Sequence, residues 1–352
     1  MNTLLHTSLE SIPVISPEDL RSQLPLQELS ANTIQYTRSA IRNILSGRDD
    51  RLIVITGPCS IHDPDAAMDY AYRLQQLSKR VSDRLLLIMR VYLEKPRTST
   101  GWKGLINDPH LDGSCELEEG LEIARKLLTD ITTLGLGTGT EMLDPLLFPY
   151  FSDLISYTAI GARTTESQTH RQFASSLPLP VGFKNATDGS IEPAINAIIS
   201  ARNPHCFPGV DDSGRICIIR TNGNRSGHLI LRGGKKGPNY DALSLSKAEN
   251  LLLQNNLNPS ILIDCSHMNA AKKHQNQAVV MKDSIVNLLN GYTCIRGLMI
   301  ESNIYEGNQA LVHGPLRYGV SITDECISWE TTEELLLDTY EMLRTRSRAT
   351  VL

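Results

Sequence analysis

From residue 52 onward, short apolar runs alternate with amphipathic stretches of helical period, and this alternation sets the predicted elements. The runs cover 52–56, 85–91, 134–141, 154–162, 179–184, 228–231, 261–264 and 295–300. Helical spacing of apolar residues fills 66–79 and 116–128 between some of them. Strands alternating with helices imply a parallel sheet, and eight such units suggest a closed (β/α)8 TIM barrel of the α/β class. An open doubly wound sheet is the competing arrangement. Residues 1–50 precede the pattern as a polar arm with prolines at 13, 17 and 25, then a helical stretch over 28–45 ending before Gly47. They form an N-terminal extension to a main domain over 51–352. The Gly-rich interval with a short strand pattern at 215–220 predicts an inserted β-hairpin within about 203–225.

Composition narrows the class. At 352 residues, with 41% hydrophobic and 21% charged content, the chain can bury a large core and carries no bias toward disorder. The net charge of −5 argues against a nucleic-acid or anionic-membrane surface, so basic residues that matter should be local, serving a small anionic ligand. Seven cysteines, at 59, 115, 206, 217, 265, 294 and 326, lack the paired spacing of a disulfide framework and suit a reducing compartment. The first eleven residues do not read as a signal, and no apolar run approaches membrane-spanning length, so a soluble cytoplasmic protein is expected.

Candidate chemistry falls at the predicted strand ends: Cys59, Arg90 with Lys95, Glu141, Arg163, Lys184, Arg232, His267 and Glu301, in strand order. A barrel would gather them at one mouth. Arg90, Arg163, Lys184 and Arg232 would make that mouth cationic, suited to a compact substrate with phosphate and carboxylate groups. Salt bridging to nearby acids is the plainer reading of any one alone. In Lys95-Pro96-Arg97-Thr98, two cations and a hydroxyl on a proline-restricted loop read as a phosphate site beside a reactive lysine. Cys59, His267, Glu301 and Asp324 offer a sulfur, an imidazole and two carboxylates, a set suited to Mn²⁺, Fe²⁺, Co²⁺ or Zn²⁺. Taken singly, Cys59 reads as a small buried residue and His267 as a hydrogen-bonded one. Asp63-Pro64 and Asp108-Pro109, with His62 and His110, read as turns, and Cys265 and Cys326 as packed small residues.

Several blocks together resemble the type I 3-deoxy-D-arabino-heptulosonate-7-phosphate (DAHP) synthases, in the feedback-regulated subgroup. They are Gly57-Pro58-Cys59-Ser60-Ile61-His62-Asp63, the stretch 90–105, Gly161-Ala162-Arg163-Thr164-Thr165-Glu166-Ser167-Gln168, Gly182-Phe183-Lys184-Asn185 and Leu231-Arg232-Gly233-Gly234-Lys235. They continue through Asp264-Cys265-Ser266-His267, Ile300-Glu301-Ser302-Asn303, Glu306-Gly307-Asn308-Gln309 and Ser321-Ile322-Thr323-Asp324. The resemblance implies condensation of phosphoenolpyruvate with erythrose 4-phosphate and water to give DAHP and phosphate, opening the shikimate pathway. It assigns phosphoenolpyruvate to Arg90, Lys95, Glu141, Arg163, Lys184 and Arg232, and erythrose 4-phosphate to Lys95, Pro96, Arg97, Thr98 and Asp324. It makes Lys95, His267, Asp324 and Cys59 catalytic, and gives one divalent ion to Cys59, His267, Glu301 and Asp324.

The extension is implied to serve subunit interfaces in a homodimer or homotetramer, and together with the hairpin a distal aromatic amino-acid site. Gly209 after Cys206-Phe207-Pro208 resembles tyrosine-sensitive members, with Phe173, Leu177 and Ile219 as further effector-site candidates. The chain departs from the family at Phe148-Pro149-Tyr150, where Pro-Gln-Tyr is usual, and at Ala186, where glycine is common. The sister synthases of 3-deoxy-octulosonate 8-phosphate carry a Lys-Ala-Asn-Arg-Ser type loop, which makes a five-carbon phosphosugar the alternative acceptor. A catalytically silent amino-acid sensor is the alternative from another class.

Overall fold

The computed structural model describes residues 11–311 and 314–349. Its strands are β1 (Leu52–Gly57), β2 (Leu85–Arg90), β3 (Gly137–Glu141), β4 (Tyr157–Ile160), β5 (Val181–Lys184), β6 (Cys206–Val210), β7 (Ile216–Arg220), β8 (Gly227–Leu231), β9 (Ile261–Asp264) and β10 (Ile295–Glu301). Eight of them close into a parallel barrel in the order β1-β10-β9-β8-β5-β4-β3-β2, while β6 and β7 pair antiparallel as a separate hairpin. The closed barrel therefore prevails over the open sheet. Continuous pairing leaves the barrel itself no edge strand, and the run Leu85–Arg90 is buried at every position.

The helices are α1 (Pro17–Gln23), α2 (Glu28–Leu45), α3 (Pro64–Val81), α4 (Leu117–Thr133), α5 (Gln168–Ala174), α6 (Glu192–Arg202), α7 (Ala242–Gln254), α8 (Asn276–Leu289) and α9 (Trp329–Ala349). Local chemistry starts several of them. Asp63 accepts from the Asp65 and Ala66 amides ahead of Pro64 in the first turn of α3, so the Asp-Pro pair read as a turn is also a helix cap. Asp241 caps α7 and Ser167 caps α5 in the same manner. No described helix is long and apolar enough to cross a membrane.

Three predicted strands begin too early, the run at 179–184 by two residues before β5 and two others by three residues. Residues 134–136 leave α4, with Leu134 capping the helix and Gly135 turning at φ 88°. Residues 152–154 form a 3-10 turn ahead of β4. In both places an apolar run continues across an element boundary, and periodicity cannot separate its parts.

The helix of the N-terminal stretch closes the floor of the barrel. Ile41, Ile44 and Leu45 of α2 share one apolar cluster with Ile53, Ile55, Ile88, Tyr157, Ile230, Leu262 and Met299 from the barrel strands. Polar ties surround the plug at the N-terminal ends of the strands. Arg38 donates to the Ile155 and Ser152 carbonyls, Arg42 to Pro178, and Asn258 and Ser260 donate to the Leu45 carbonyl. The opposite end is left open.

Candidate active site

That open end holds a cavity of about 630 Å³, lined by Arg90, Lys95, Pro96, Arg97, Thr98, Glu141, Arg163, Lys184, Arg232, His267, Glu301 and Asp324. The barrel thus brings the predicted strand-end residues together. Cys59, fully buried, meets Glu301 and Asp324 in a group whose ligand atoms lie within 4.8 Å of one another. Strand register sets part of this: Gly57 pairs with Glu301 across β1 and β10, and Met299 with Asp264 across β10 and β9. Gly57 also permits close approach, since a Cβ there would lie 2.7 Å from the Arg90 carbonyl.

Arg90 is fixed before any ligand arrives. Its Nε donates to the Pro58 carbonyl at 3.0 Å, and Nη2 donates to Glu301 at 2.8 Å and to the Cys59 carbonyl at 3.2 Å. The guanidinium lies 3.4 Å from the centre of the Tyr92 ring. Lys184 is paired with Asp264 at 2.9 Å, both buried. Burial favours the neutral acid, but His267 and Lys184 hold Asp264 well below the usual carboxylate range. Arg163 is exposed and makes no protein hydrogen bond or ion pair among the described residues, so its donors are free for a ligand. These cations are preorganised to different degrees, with the deepest ones locked.

Lys95 follows the end of β2 on a loop held by its own amide, which donates to Lys103 at 2.8 Å. Gly104, at φ 125°, lets the return of this loop lie against Leu93. The Lys95 ammonium donates to the Cys59 carbonyl at 3.1 Å and to Cys59 Sγ at 3.0 Å. Burial would lower its proton affinity, but the negative fields of Cys59 and Glu301 outweigh burial and keep it protonated. Arg97 and Thr98 are exposed at the rim, with Arg97 Nε donating to the Trp102 carbonyl at 2.6 Å.

Burial, followed by Glu301, pushes the Cys59 thiol up, while Lys95 pulls the other way. A sulfur and two carboxylates crowded in this way are the donor set of a borderline divalent cation, whose charge would favour the thiolate, so these residues fit such an ion. His267 lines the same cavity but stands outside the tight group. Its Nδ1 contacts Ser266 at 2.6 Å and Asp264 at 3.0 Å, leaving Nε2 without a hydrogen bond among the described residues. His267, Ala271 and Lys272 all hold φ between 51° and 60°, an uncommon conformation for non-glycine residues, so the turn after β9 is strained.

Sequence reading alone overlooked several participants. Tyr92, Asp264, Lys235 and Lys272 either support the cations or line the cavity. Tyr92 and Asp264 stood inside quoted blocks, but only packing shows one beneath Arg90 and the other against Lys184. The effector candidates lie away from this cavity. Phe173 and Leu177 are buried in the core, with the Phe173 ring 5.8 Å from Phe148. Ile219 sits on the hairpin opposite Phe207, its side chain filling the space beside Gly209.

A barrel floor closed by a helix, and a cationic mouth above a thiol–carboxylate donor group, define an enzyme of phosphorylated small molecules. The chain belongs to the DAHP synthetase I family, whose profile matches residues 25–337. It is 49% identical over 349 residues to the Tyr-sensitive phospho-2-dehydro-3-deoxyheptonate aldolase of Escherichia coli, covering 99% of this chain and 98% of that one. The Phe-sensitive enzyme of the same organism is 51% identical over 324 residues, 92% of each chain. The tyrosine-inhibited enzyme of Schizosaccharomyces pombe is 48% identical, covering 95% and 91%. A solved phospho-2-dehydro-3-deoxyheptonate aldolase from Francisella tularensis superposes with a TM-score of 0.94 at 44% identity, covering 96% and 98%.

Proposed function

We propose that this chain condenses phosphoenolpyruvate with D-erythrose 4-phosphate and water, releasing DAHP and inorganic phosphate as the first step of the shikimate pathway. The observation that carries this reading is the gathering of Arg90, Arg163, Lys184 and Arg232 around one cavity that also holds Lys95, Arg97 and Thr98. Two phosphorylated substrates need two anion sites, and the cavity has a deep set, Arg90, Lys184 and Arg232 with exposed Arg163 beside them, and an exposed rim set, Arg97 and Thr98. The deep set, with Glu141 beside it, would hold phosphoenolpyruvate, and the rim would hold the phosphate of the aldehyde.

C3 of phosphoenolpyruvate attacks the aldehyde carbon, and Lys95, held protonated, delivers a proton to the oxygen that becomes the new hydroxyl. Water adds at C2, where positive charge has developed, and the hemiketal collapses with C–O cleavage, expelling phosphate into the cationic site. A divalent ion, Mn²⁺, Fe²⁺, Co²⁺ or Zn²⁺, held by Cys59, Glu301 and Asp324 with His267 beside them, would supply Lewis-acid polarisation of the aldehyde. Placement in the cytoplasm suits the seven unpaired cysteines. Subunit pairing as a homodimer or homotetramer is part of the same reading, and Ile216 and Ile218 of the hairpin, 86% and 70% exposed, offer it an apolar face.

The test is phosphoenolpyruvate consumption with erythrose 4-phosphate or arabinose 5-phosphate, before and after chelation and Mn²⁺ addition. Consumption is expected only with erythrose 4-phosphate, lost on chelation and restored by Mn²⁺. Lys95→Met is expected to lower turnover about 10²–10⁴-fold, the scale of a positioned proton donor. Consumption with the five-carbon sugar alone would reassign the acceptor, and none from folded, metal-loaded protein would favour the silent sensor.

A further inference from the structure

Asp324 is held through its chain neighbours. Thr323 Oγ1 meets Ser60 Oγ at 2.7 Å, one residue beyond Cys59, and Cys326 Sγ accepts from the Cys59 amide at 3.4 Å. The Ile327 amide donates to the Glu301 carbonyl at 3.0 Å. Residues 323–327 are therefore a strip sewn to the loop of one candidate ligand and the strand of another. On the remaining side stands the strained turn that carries His267. Among the described residues, the hydrogen bonds from that turn to the strip are those of His274 to Glu325: Nδ1 at 2.7 Å and the backbone amide at 3.4 Å, both to Oε2.

His274 is 8% exposed, and its Nε2 is buried without a hydrogen bond, 3.9 Å from Glu306. A buried imidazole with one unsatisfied nitrogen is costly where an apolar side chain would fill the same space, so packing alone does not account for it. We propose that His274 is a positioning residue of the metal centre, latching the His267 turn to the Asp324 strip through Glu325. With the latch closed, the turn and the strip keep one relative position despite three residues at positive φ between β9 and His274. With it open, His267 and Asp324 are free to separate, and the centre loses affinity by the factor of about 10–100 typical of lost outer-shell contacts.

This inference rests on the metal reading above, and one experiment separates the two. Co²⁺ is titrated into chelator-stripped protein while the thiolate-to-metal absorption from Cys59 is followed, for wild type, His274→Leu, Glu325→Ala and His274→Asn. Wild type is expected to bind with a thiolate band. His274→Leu and Glu325→Ala should weaken binding at least tenfold, and His274→Asn should recover most of it, because its amide can replace the Nδ1 donor. The Glu325 side chain is 39% exposed, so its truncation leaves no buried cavity and carries the test if His274→Leu fails to fold. Wild-type Co²⁺ affinity in the folded latch variants overturns the latch alone. Absence of Co²⁺ uptake and of the thiolate band in wild type overturns the metal reading, and the latch with it.

Discussion

Lys95 and Glu94 are adjacent in the chain and meet opposite surroundings. Lys95 faces sulfur and carboxylate and stays charged, whereas Glu94 is buried beside a small cavity lined by Leu93, Ile106, Met142, Phe148 and Phe151 together with Thr140, Glu141 and Asp144. Burial pushes the Glu94 carboxyl up to about 8 from an ordinary 4.5, with Asp144 and Glu141 adding to the rise and the Asp144 amide opposing it. Because its folded value lies above its unfolded one, its contribution to stability is full below about pH 4.5 and is lost as pH rises toward about 8. Glu94→Gln removes that loss. Its unfolding temperature is expected to gain on wild type steadily from pH 5 to pH 8.5, measured as the difference between the two proteins at each pH. A constant difference would show that Glu94 ionises without penalty.

At the scale of elements, α2 joins the N-terminal stretch to the barrel. Its apolar face meets the interior of the strands, and Arg38 and Arg42 answer carbonyls that the strand ends leave open. Burying a side chain such as Ile41 or Ile44 here contributes about 1.5–3 kcal/mol. Ile44→Ala is expected to lower stability by about 2–5 kcal/mol in denaturant titrations, the cost of a buried isoleucine plus its cavity. Turnover at room temperature should persist, because the floor and the mouth lie at opposite ends of the strands. Equal loss of stability and turnover would show that the plug also sets the mouth.

Across the whole molecule, the arm, the hairpin and residues 149–153 of the barrel are joined by direct contacts. Arg21 pairs with Asp212 in the hairpin turn at 2.8 Å and also reaches the Pro149 carbonyl. The Tyr150 hydroxyl donates to the Ile15 carbonyl at 2.6 Å, and buried Arg125 clamps the Leu24 and Tyr150 carbonyls together with Asp153. The departure from the family at residues 148–150 thus lies in the seam between arm and barrel. Phe148 in that seam also lines the cavity of Glu94, next to Lys95. L-tyrosine is expected to inhibit phosphoenolpyruvate consumption, and Gly209→Ser to weaken that inhibition, since any Cβ at 209 displaces the end of Ile219. Activity indifferent to millimolar tyrosine in wild type would remove tyrosine as effector.

Much of the fold was legible because buried parallel strands are short apolar runs and helical stretches between them, such as 66–79 and 116–128, keep their own period, whereas the cap at Asp63 was legible only as a turn. Candidate residues such as Arg90, Lys184 and Glu301 were legible for a related reason, since closing a barrel brings every strand end to one rim. These are local properties, written in neighbouring residues. What only the tertiary structure decided depends on residues far apart in sequence. The closed barrel itself, α2 as its floor, Tyr92 under Arg90, Asp264 against Lys184 and His274 against Glu325 all require the chain to return to the same place. Burial does the same for charge. Glu94 and Lys95 are neighbours in the sequence, and the dielectric and fields that hold one neutral and the other charged exist only once the barrel has closed around them.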